Sequence, residues 1–466
     1  MNRYVQLLLV STGIFLFVID LFIINVSLPS IQAGLHAQDS QAQWIVILYV
    51  IGYASLLVTG SKAGTYWGKK KVYNLSMLFF ILSSALCGIA ANAEILLAGR
   101  LIQGVSSAFM VPQGIAFIPD IFDTEKDRVK ALGIYGSIAG AASVLGQLLG
   151  GILPDVQWIT DGWRLIFLIN IPIGLVSLLL AIRYLPDHHQ PAAGRFNSSG
   201  VILLALSIMT LIYPIIQAAE HPWSVWYTVL LLCSFIFGLR FVYLQKKDHR
   251  QGLETLIDFS LFRNTYFRLG LWSALFYYMV QDSYFILTSL YLQRGLDVSS
   301  TQTGLYFVAQ GIGYVLASLV SIRYNVLHGK RVLLSGIFIM VIGLCMHLLI
   351  FSMSNVSHTV ILLTLFWYGL GCGTVLPSMM TMALKTIQEK KVGIASGMYL
   401  TLQQLAVGIG VGLLTTVFFH FSKTSLSSNS MLTAYYYSIG VCIILLLTVA
   451  FLFLKLPEAE AETSDK

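Results

Sequence analysis

The chain is short of charge. Of its 466 residues 11% are Asp, Glu, Lys or Arg, while 57% are hydrophobic. Soluble domains carry about 25% charged residues, so this chain lacks the polar groups to cover a water-facing surface. The composition is that of a polytopic membrane protein. The basic residues stand in short clusters between apolar runs, so the net charge of +7 is no sign of a nucleic-acid partner. Cysteine is scarce as well. Cys87, Cys233, Cys345, Cys372 and Cys442 each lie in an apolar stretch and none forms a CxxC pair. That excludes a disulfide framework and leaves small core residues. No Walker-type phosphate loop, HExxH or GxSxG sequence occurs, which leaves an ion gradient as the energy source. His188 and His189 stand in a polar linker with no further ligands nearby, so no metal site and no cofactor is expected.

Long apolar runs are what the chain has in abundance. About fourteen segments approach the roughly 20 residues a spanning helix needs, near 6–28, 43–65, 72–92, 95–118, 131–153, 163–185, 199–217, 223–244, 266–291, 303–322, 331–352, 358–383, 393–418 and 432–454. The first is longer than the roughly 7–15 residues of a signal-peptide core and lacks a small-residue cleavage site, so it reads as a membrane helix. Alternate connections hold most of the Lys and Arg, including Arg3, Lys69, Lys70, Lys71, Arg128, Lys246, Arg263, Lys330 and Lys391. The opposite set holds little beyond Arg164, Arg294 and Lys423. The positive-inside rule then puts both termini in the cytoplasm. The tail "PEAEAETSDK" reads as solvated and disordered.

The chain echoes itself. "GKKKV" at Gly68 follows the second segment and "GKRV" at Gly329 follows the tenth. "VIDLFIINVSLPSIQ" joins Asp20 to Gln32, and "VQDSYFILTSLYLQ" joins Asp282 to Gln293. Two six-helix halves around a midplane site are a transporter architecture. The expected domains are 1–190 as an N-terminal six-helix bundle, 191–250 as an inserted helix pair, 251–455 as a C-terminal six-helix bundle and 456–466 as the tail.

These features resemble the major facilitator superfamily, and within it the fourteen-helix drug/proton antiporter branch. "IDLFIINVSLPSI" is similar to that branch's opening motif through Asp20, Asn25 and Pro29. "AGRLIQGVSSAFMVP" is similar to a family motif through Arg100, Gln103 and Gly104, and "WRLIFLINIPIG" to another through Trp163, Arg164, Phe167, Asn170, Pro172 and Gly174. "LQQLAVGIGVG" matches a later motif at Gln404, with Gln403 in place of its usual arginine. Two departures stand out. The loop "SKAGTYWGKK" keeps Gly68, Lys69 and Lys70 but has Thr65 where the family has an acid and Tyr66 where it has its first basic residue. The fifth segment ends "GQLLGG", with Gln147 in place of the proline of the antiport motif.

The resemblance implies an all-α membrane fold and a secondary transporter of the bacterial inner membrane, exporting a small organic compound in exchange for protons by alternating access. A monomer is expected, with a periplasmic adaptor left open. A proton-coupled uptake symporter, a transport-dead sensor and a membrane-embedded enzyme are the alternatives. The enzyme reading requires a polar catalytic constellation near one face, which the sequence does not display.

Acids inside a spanning segment are costly and usually face the interior. At about 1.5 Å per residue, Asp20, Arg100 and Asp282 lie roughly 12, 9 and 14 Å from the same membrane face. Asp20 and Asp282 are the candidate proton or cation sites, with Arg100 tuning one of them. An Asp20–Arg100 pair would also serve as a static pin of helix packing. Tyr277, Gln281 and Tyr284 share a helix face and join Gln103, Trp367 and Gln404 as cavity candidates. Gly136, Gly140, Ser143, Gln147 and Gly150 form one helical stripe, expected to be a packing or sliding seam. Thr65, Gly68, Lys69 and Lys70 are the gating candidates, with a weaker or differently built cytoplasmic latch expected where the acid is absent.

Overall fold

The computed structural model describes residues 2–156, 161–187, 198–217, 223–251, 259–353, 357–387, 389–424 and 430–456. The linker histidines and the acidic tail beyond Leu456 lie outside the described residues. Every element among those described is helical. The long ones are α1 (Arg3–Leu35), α2 (Asp39–Trp67), α3 (Lys69–Gly88), α4 (Ala93–Ala116), α5 (Glu125–Ile152), α6 (Asn170–Tyr184) and α7 (Ser198–Gln217). They continue with α8 (Val225–Arg250), α9 (Thr265–Gly295), α10 (Ser300–Phe351), α11 (His358–Leu384), α12 (Glu389–Thr424) and α13 (Ser430–Leu454). A helix satisfies its own backbone polar groups, which hydrocarbon cannot do for it. Among the described residues twelve stretches are long and apolar enough to cross a membrane, so the chain is a multi-pass membrane protein. Helix starts are capped where the sequence offers an oxygen. Asn2 accepts from the Tyr4 amide, Asn92 from Ile95, Thr124 from Asp127 and Ser357 from Val360, which satisfies donors the helix leaves orphaned.

The chain forms two compact units. One comprises 1–256, 281–308 and 407–438, and the other 257–280, 309–406 and 439–466. Within the first, α1 packs on α5, and α4 lies between α2 and α3. Glycines permit the closest approaches. A Cβ on Gly104 would sit 2.1 Å from the Tyr49 carbonyl oxygen, and one on Gly52 would sit 2.9 Å from that of Leu101. The second unit repeats this joint. A Cβ on Gly369 would sit 2.1 Å from the Gln310 oxygen, and one on Gly313 would sit 2.4 Å from that of Phe366. Tyr49, Gly52 and Gly68 stand at one constant offset from Gln310, Gly313 and Gly329. Leu101 and Gly104 stand at another from Phe366 and Gly369. The weak sequence echo is therefore a repeat of backbone packing.

Helix α10 shows the repeat from another side. Its 52 residues carry helical backbone throughout, which if straight would measure roughly 78 Å, more than twice the hydrocarbon thickness. Its first half runs parallel to α11, with Gln310 at Gly369 and Tyr314 at Gly373. Its second half runs antiparallel, with Gly336 at Thr374 and Gly343 at Tyr368. The two halves thus meet α11 in opposite senses, and the stretch holds two candidate spans, Ser300–Ser321 and Gly329–Phe351.

Outward faces are apolar. Trp226, Phe235, Phe338 and Leu349 are each at least 66% exposed, as suits a surface solvated by lipid. Cys345, expected in the core, is also exposed; a thiol facing hydrocarbon needs no burial in protein.

The glycine joints give a direct test. Gly104→Ala and Gly369→Ala each force a Cβ into a carbonyl oxygen. Both should lower the thermal midpoint of the purified protein in detergent by roughly 3 °C or more. Gly136→Ala, where a Cβ meets nothing within 4 Å, should leave that midpoint unchanged, read by fluorescence-detected size-exclusion after heating.

Candidate functional site

Five helices of the first unit bring polar groups to one buried point. Arg100 on α4 and Asp20 on α1 are both fully buried. Arg100 Nη1 donates to Asp20 Oδ2 and also to Gln103 Oε1 at 3.0 Å. Arg100 Nε donates to the Ile45 carbonyl oxygen of α2 at 3.0 Å. The other carboxylate oxygen, Asp20 Oδ1, accepts from Asn170 Nδ2 of α6 at 2.9 Å and from Gln103 Nε2 at 3.4 Å. Gln103 is held in turn by Ser84 Oγ of α3 at 2.8 Å. The Tyr49 ring lies under the guanidinium, 4.1 Å from its carbon, and the Tyr49 hydroxyl donates to the Phe17 carbonyl oxygen at 3.1 Å.

Local sequence explains the convergence. The missing side chain of Gly104 lets α2 close on α4, which sets Tyr49 against Arg100. Arg164 donates to the carbonyl oxygen of Gly88 at the end of α3 at 3.3 Å and to that of Ala90 just beyond it at 2.6 Å, and stacks on Trp163 at 4.3 Å. This anchors the turn before α6 and so positions Asn170. Nearly every capacity of the carboxylate is used, which is the condition under which a buried charge is tolerated.

Asp282 is in a different situation. It is buried on α9, and among the described residues no hydrogen bond or ion pair holds its carboxylate. The repeat gives a reason. The offset that carries Leu101 to Phe366 carries Arg100 to Leu365, which is buried and apolar.

The cavity candidates are divided between the two units. Gln281 and Tyr284 are buried in the first unit. Tyr277 and Gln404 are buried in the second, with the Tyr277 hydroxyl and Gln404 Oε1 lacking a hydrogen-bond partner. Trp367 turns its indole N–H to the Ile339 carbonyl oxygen at 3.2 Å and leaves its ring partly exposed. On α5, a Cβ on Gly150 would lie 2.3 Å from the Ile23 oxygen of α1, whereas Gly136 and Gly140 face open space. Gln147 is buried, and its backbone oxygen lies 3.0 Å from a Cβ built on Gly304.

The two ends of the first unit are closed by different chemistry. At one, Gly68 has φ 88°, a conformation glycine adopts without strain. Lys69 Nζ then reaches the Ala116 carbonyl oxygen at 2.9 Å and both oxygens of Asp120 at 2.9 and 2.8 Å. The Thr65 side chain lies outside the described residues, and Lys70 is half-buried. At the other end Arg294 donates to Gln32 Oε1 and stands 3.8 Å from Asp39. Gln32 Nε2 donates to Asp39 at 2.7 Å, and Gln293 Nε2 to the Val26 oxygen at 2.8 Å. Thr301 Oγ1 donates to Asp155 at 2.5 Å.

Sequence reading passed over Tyr49, Ser84 and Asp120. Asn170 entered it only as part of a motif, although an asparagine inside an apolar run is itself a signal. The buried pair predicts a specific mutational pattern. Arg100→Ala leaves Asp20 buried without its counter-ion and should cost about 3–5 kcal/mol, seen as loss of folded yield. The double variant Asp20→Asn with Arg100→Gln removes both charges and should recover much of that loss, as a double-mutant cycle on thermal stability will measure.

The chain matches the Major Facilitator Superfamily over residues 10–246 and 270–466. It is 31% identical over 404 residues to a probable actinorhodin transporter of Streptomyces coelicolor, covering 86% of this chain and 70% of that one. It is 29% identical over 421 residues to the multidrug resistance protein Stp of Mycobacterium tuberculosis, covering 90% of this chain and 76% of that one. The crystal structure of a D-xylose–proton symporter superposes with a TM-score of 0.67 at 15% identity, covering 98% of this chain and 99% of that one; at that identity the likeness concerns the fold. Family and fold are those of a transporter rather than an enzyme, and the chain belongs to the Major Facilitator Superfamily.

Proposed function

We propose that the chain is a fourteen-helix secondary transporter of the bacterial inner membrane that exports a small, amphipathic organic molecule in exchange for protons. The observation that carries this reading is the contrast between two intramembrane acids. Asp20 is saturated by Arg100, Asn170 and Gln103, while Asp282 is buried with no counter-ion among the described residues. Asp282 is therefore the acid proposed to take up and release the proton as access alternates. Asp20 exchanges only when its pairing with Arg100 loosens. The names of the relatives, an actinorhodin transporter and a multidrug resistance protein, support export of organic compounds.

The Lys and Arg asymmetry places both termini in the cytoplasm. On that orientation Lys69–Asp120 is a cytoplasmic contact within the first bundle, and Arg294 with Gln32 and Asp39 is a periplasmic contact between the two bundles, which alternating access must break and remake. Residues 1–190 form one rocking bundle and 251–455 the other, with 191–250 inserted between them in sequence. Tyr277, Gln281, Tyr284, Trp367 and Gln404 supply the aromatic and amide groups that meet substrate, and the protein works as a monomer.

The test is transport in vesicles of both orientations under an imposed pH gradient, with a panel of cationic and anionic dyes. Accumulation in inverted vesicles with an acidic interior is expected, and Asp282→Asn should reduce it at least about tenfold while leaving folded yield unchanged. Uptake confined to right-side-out vesicles and driven by inward protons would instead establish a symporter, the reading that Gln147 in place of the antiport-motif proline favours. Full coupled transport by Asp282→Asn would remove that residue from the mechanism.

The periplasmic closure has its own measurement. Arg294→Gln removes the donor that joins Gln32 and the charge that faces Asp39. Spin labels at exposed His36 and Asp297 should then report a longer distance component that is minor in the unsubstituted protein. An unchanged distribution would mean that Arg294 holds nothing shut.

A further inference from the structure

A groove of about 520 Å³ runs along the outside of the first unit, between the N-terminal turns of α1 and the body of α6. Leu8, Val176 and Leu180 form its walls, and these residues are 57%, 58% and 41% exposed. Leu9 and Ser177 form its floor and are buried. The helices run antiparallel here, and Gln6 Nε2 ties them by donating to the Tyr184 carbonyl oxygen at 3.2 Å.

Dimensions narrow the occupant. The groove extends along α1 from Val5 to Thr12, a rise of roughly 10 Å. One leaflet's hydrocarbon is about 15 Å deep, so a groove that starts at the helix terminus and reaches roughly 10 Å inward matches the depth of an acyl chain in that leaflet. Its lining is almost wholly apolar, as an acyl chain requires.

Charge narrows it further. Arg183 lies one helical turn beyond Leu180, exposed, with its guanidinium 5.6 Å from the Tyr184 ring. Among the described residues it has no carboxylate partner. Lys130 adds a second cation at this end, 3.4 Å from the Tyr4 hydroxyl. Arg183 is thus an exposed cation at the membrane-surface end of the groove, with exposed Asp187 four residues further along the chain. A basic site at the end of an apolar groove fits the headgroup of an anionic lipid.

We propose that this groove is a binding site for an anionic phospholipid, with an acyl chain between α1 and α6 and the phosphate at Arg183. The site is separate from the transport path and does not depend on the direction of transport.

The test is native mass spectrometry of the delipidated full-length protein, titrated with palmitoyl-oleoyl phosphatidylglycerol or with the matching phosphatidylcholine. The unsubstituted protein should retain the glycerol lipid more tightly than the choline lipid. Val176→Trp fills the groove from its lipid-facing wall and should weaken the tightest site for both lipids about tenfold. Arg183→Gln leaves the groove open and should abolish the preference while keeping acyl binding. Both variants must match the parent in size-exclusion profile and thermal midpoint. Equal retention of the two lipids by the parent overturns the proposal. So does unchanged occupancy in Val176→Trp, or a preference that survives Arg183→Gln.

Discussion

Moving a carboxylate or a guanidinium out of water costs several kcal/mol per ion even after the protein relaxes, and the Asp20–Arg100 pair lies wholly out of water. Such a pair is tolerated only where the surrounding groups complete it. Most of that completion draws on α1, α2, α3, α4 and α6 together, through Ile45, Ser84, Gln103 and Asn170, with Arg100 Nη2 left without a hydrogen-bond partner. Any helix that slides away leaves a donor or a charge unmet. The ion pair therefore ties those five helices into one body, and motion has to be sought at the ends of the unit, where the contacts are polar and partly exposed.

The second unit is an internal control for what the ion pair contributes. It builds the same glycine-to-carbonyl joint, Gly369 against Gln310 where the first unit has Gly104 against Tyr49. Yet it places Leu365 where the first unit has Arg100. The architecture thus forms around an apolar residue as well as around an arginine. Buried ion pairs can often be replaced by packed apolar groups without loss of stability. The glycine-to-carbonyl joint therefore does not depend on the pair.

Much of this was legible in the sequence because membrane solvation is severe. Composition alone specified a helical membrane protein, but of the fourteen apolar segments twelve are long and apolar enough to cross a membrane among the described residues, 199–217 and 266–291 falling short. The depth of Asp20 and Arg100 along their helices put them in one layer before any contact was known. What sequence spacing could not supply was neighbours. Gly136 and Gly150 belong to one helical stripe, but the first faces open space and the second touches Ile23. Spacing defines a face, and only packing decides what the face meets. Tyr49 has no periodicity that marks it as the aromatic under a guanidinium. Asp120 pairs with a lysine 51 residues away, across two intervening helices.

That last pairing bears on the acid the loop lacks. Lys69 is not a cation left without a partner by Thr65, for it donates to the Ala116 oxygen at the end of α4 and to Asp120. Its counterpart by the repeat, Lys330, does the first half of this task. It donates to the Leu454 and Leu456 carbonyl oxygens at the end of α13, at 2.9 and 2.8 Å. Helix C-termini expose unpaired carbonyls and carry partial negative charge, which cations offset. Carbonyl capping is thus the role common to both halves, and the carboxylate at Asp120 is an addition in the first. The half that carries the buried arginine also carries the extra acid at its end, so the two asymmetries between the halves fall on the same side of the chain.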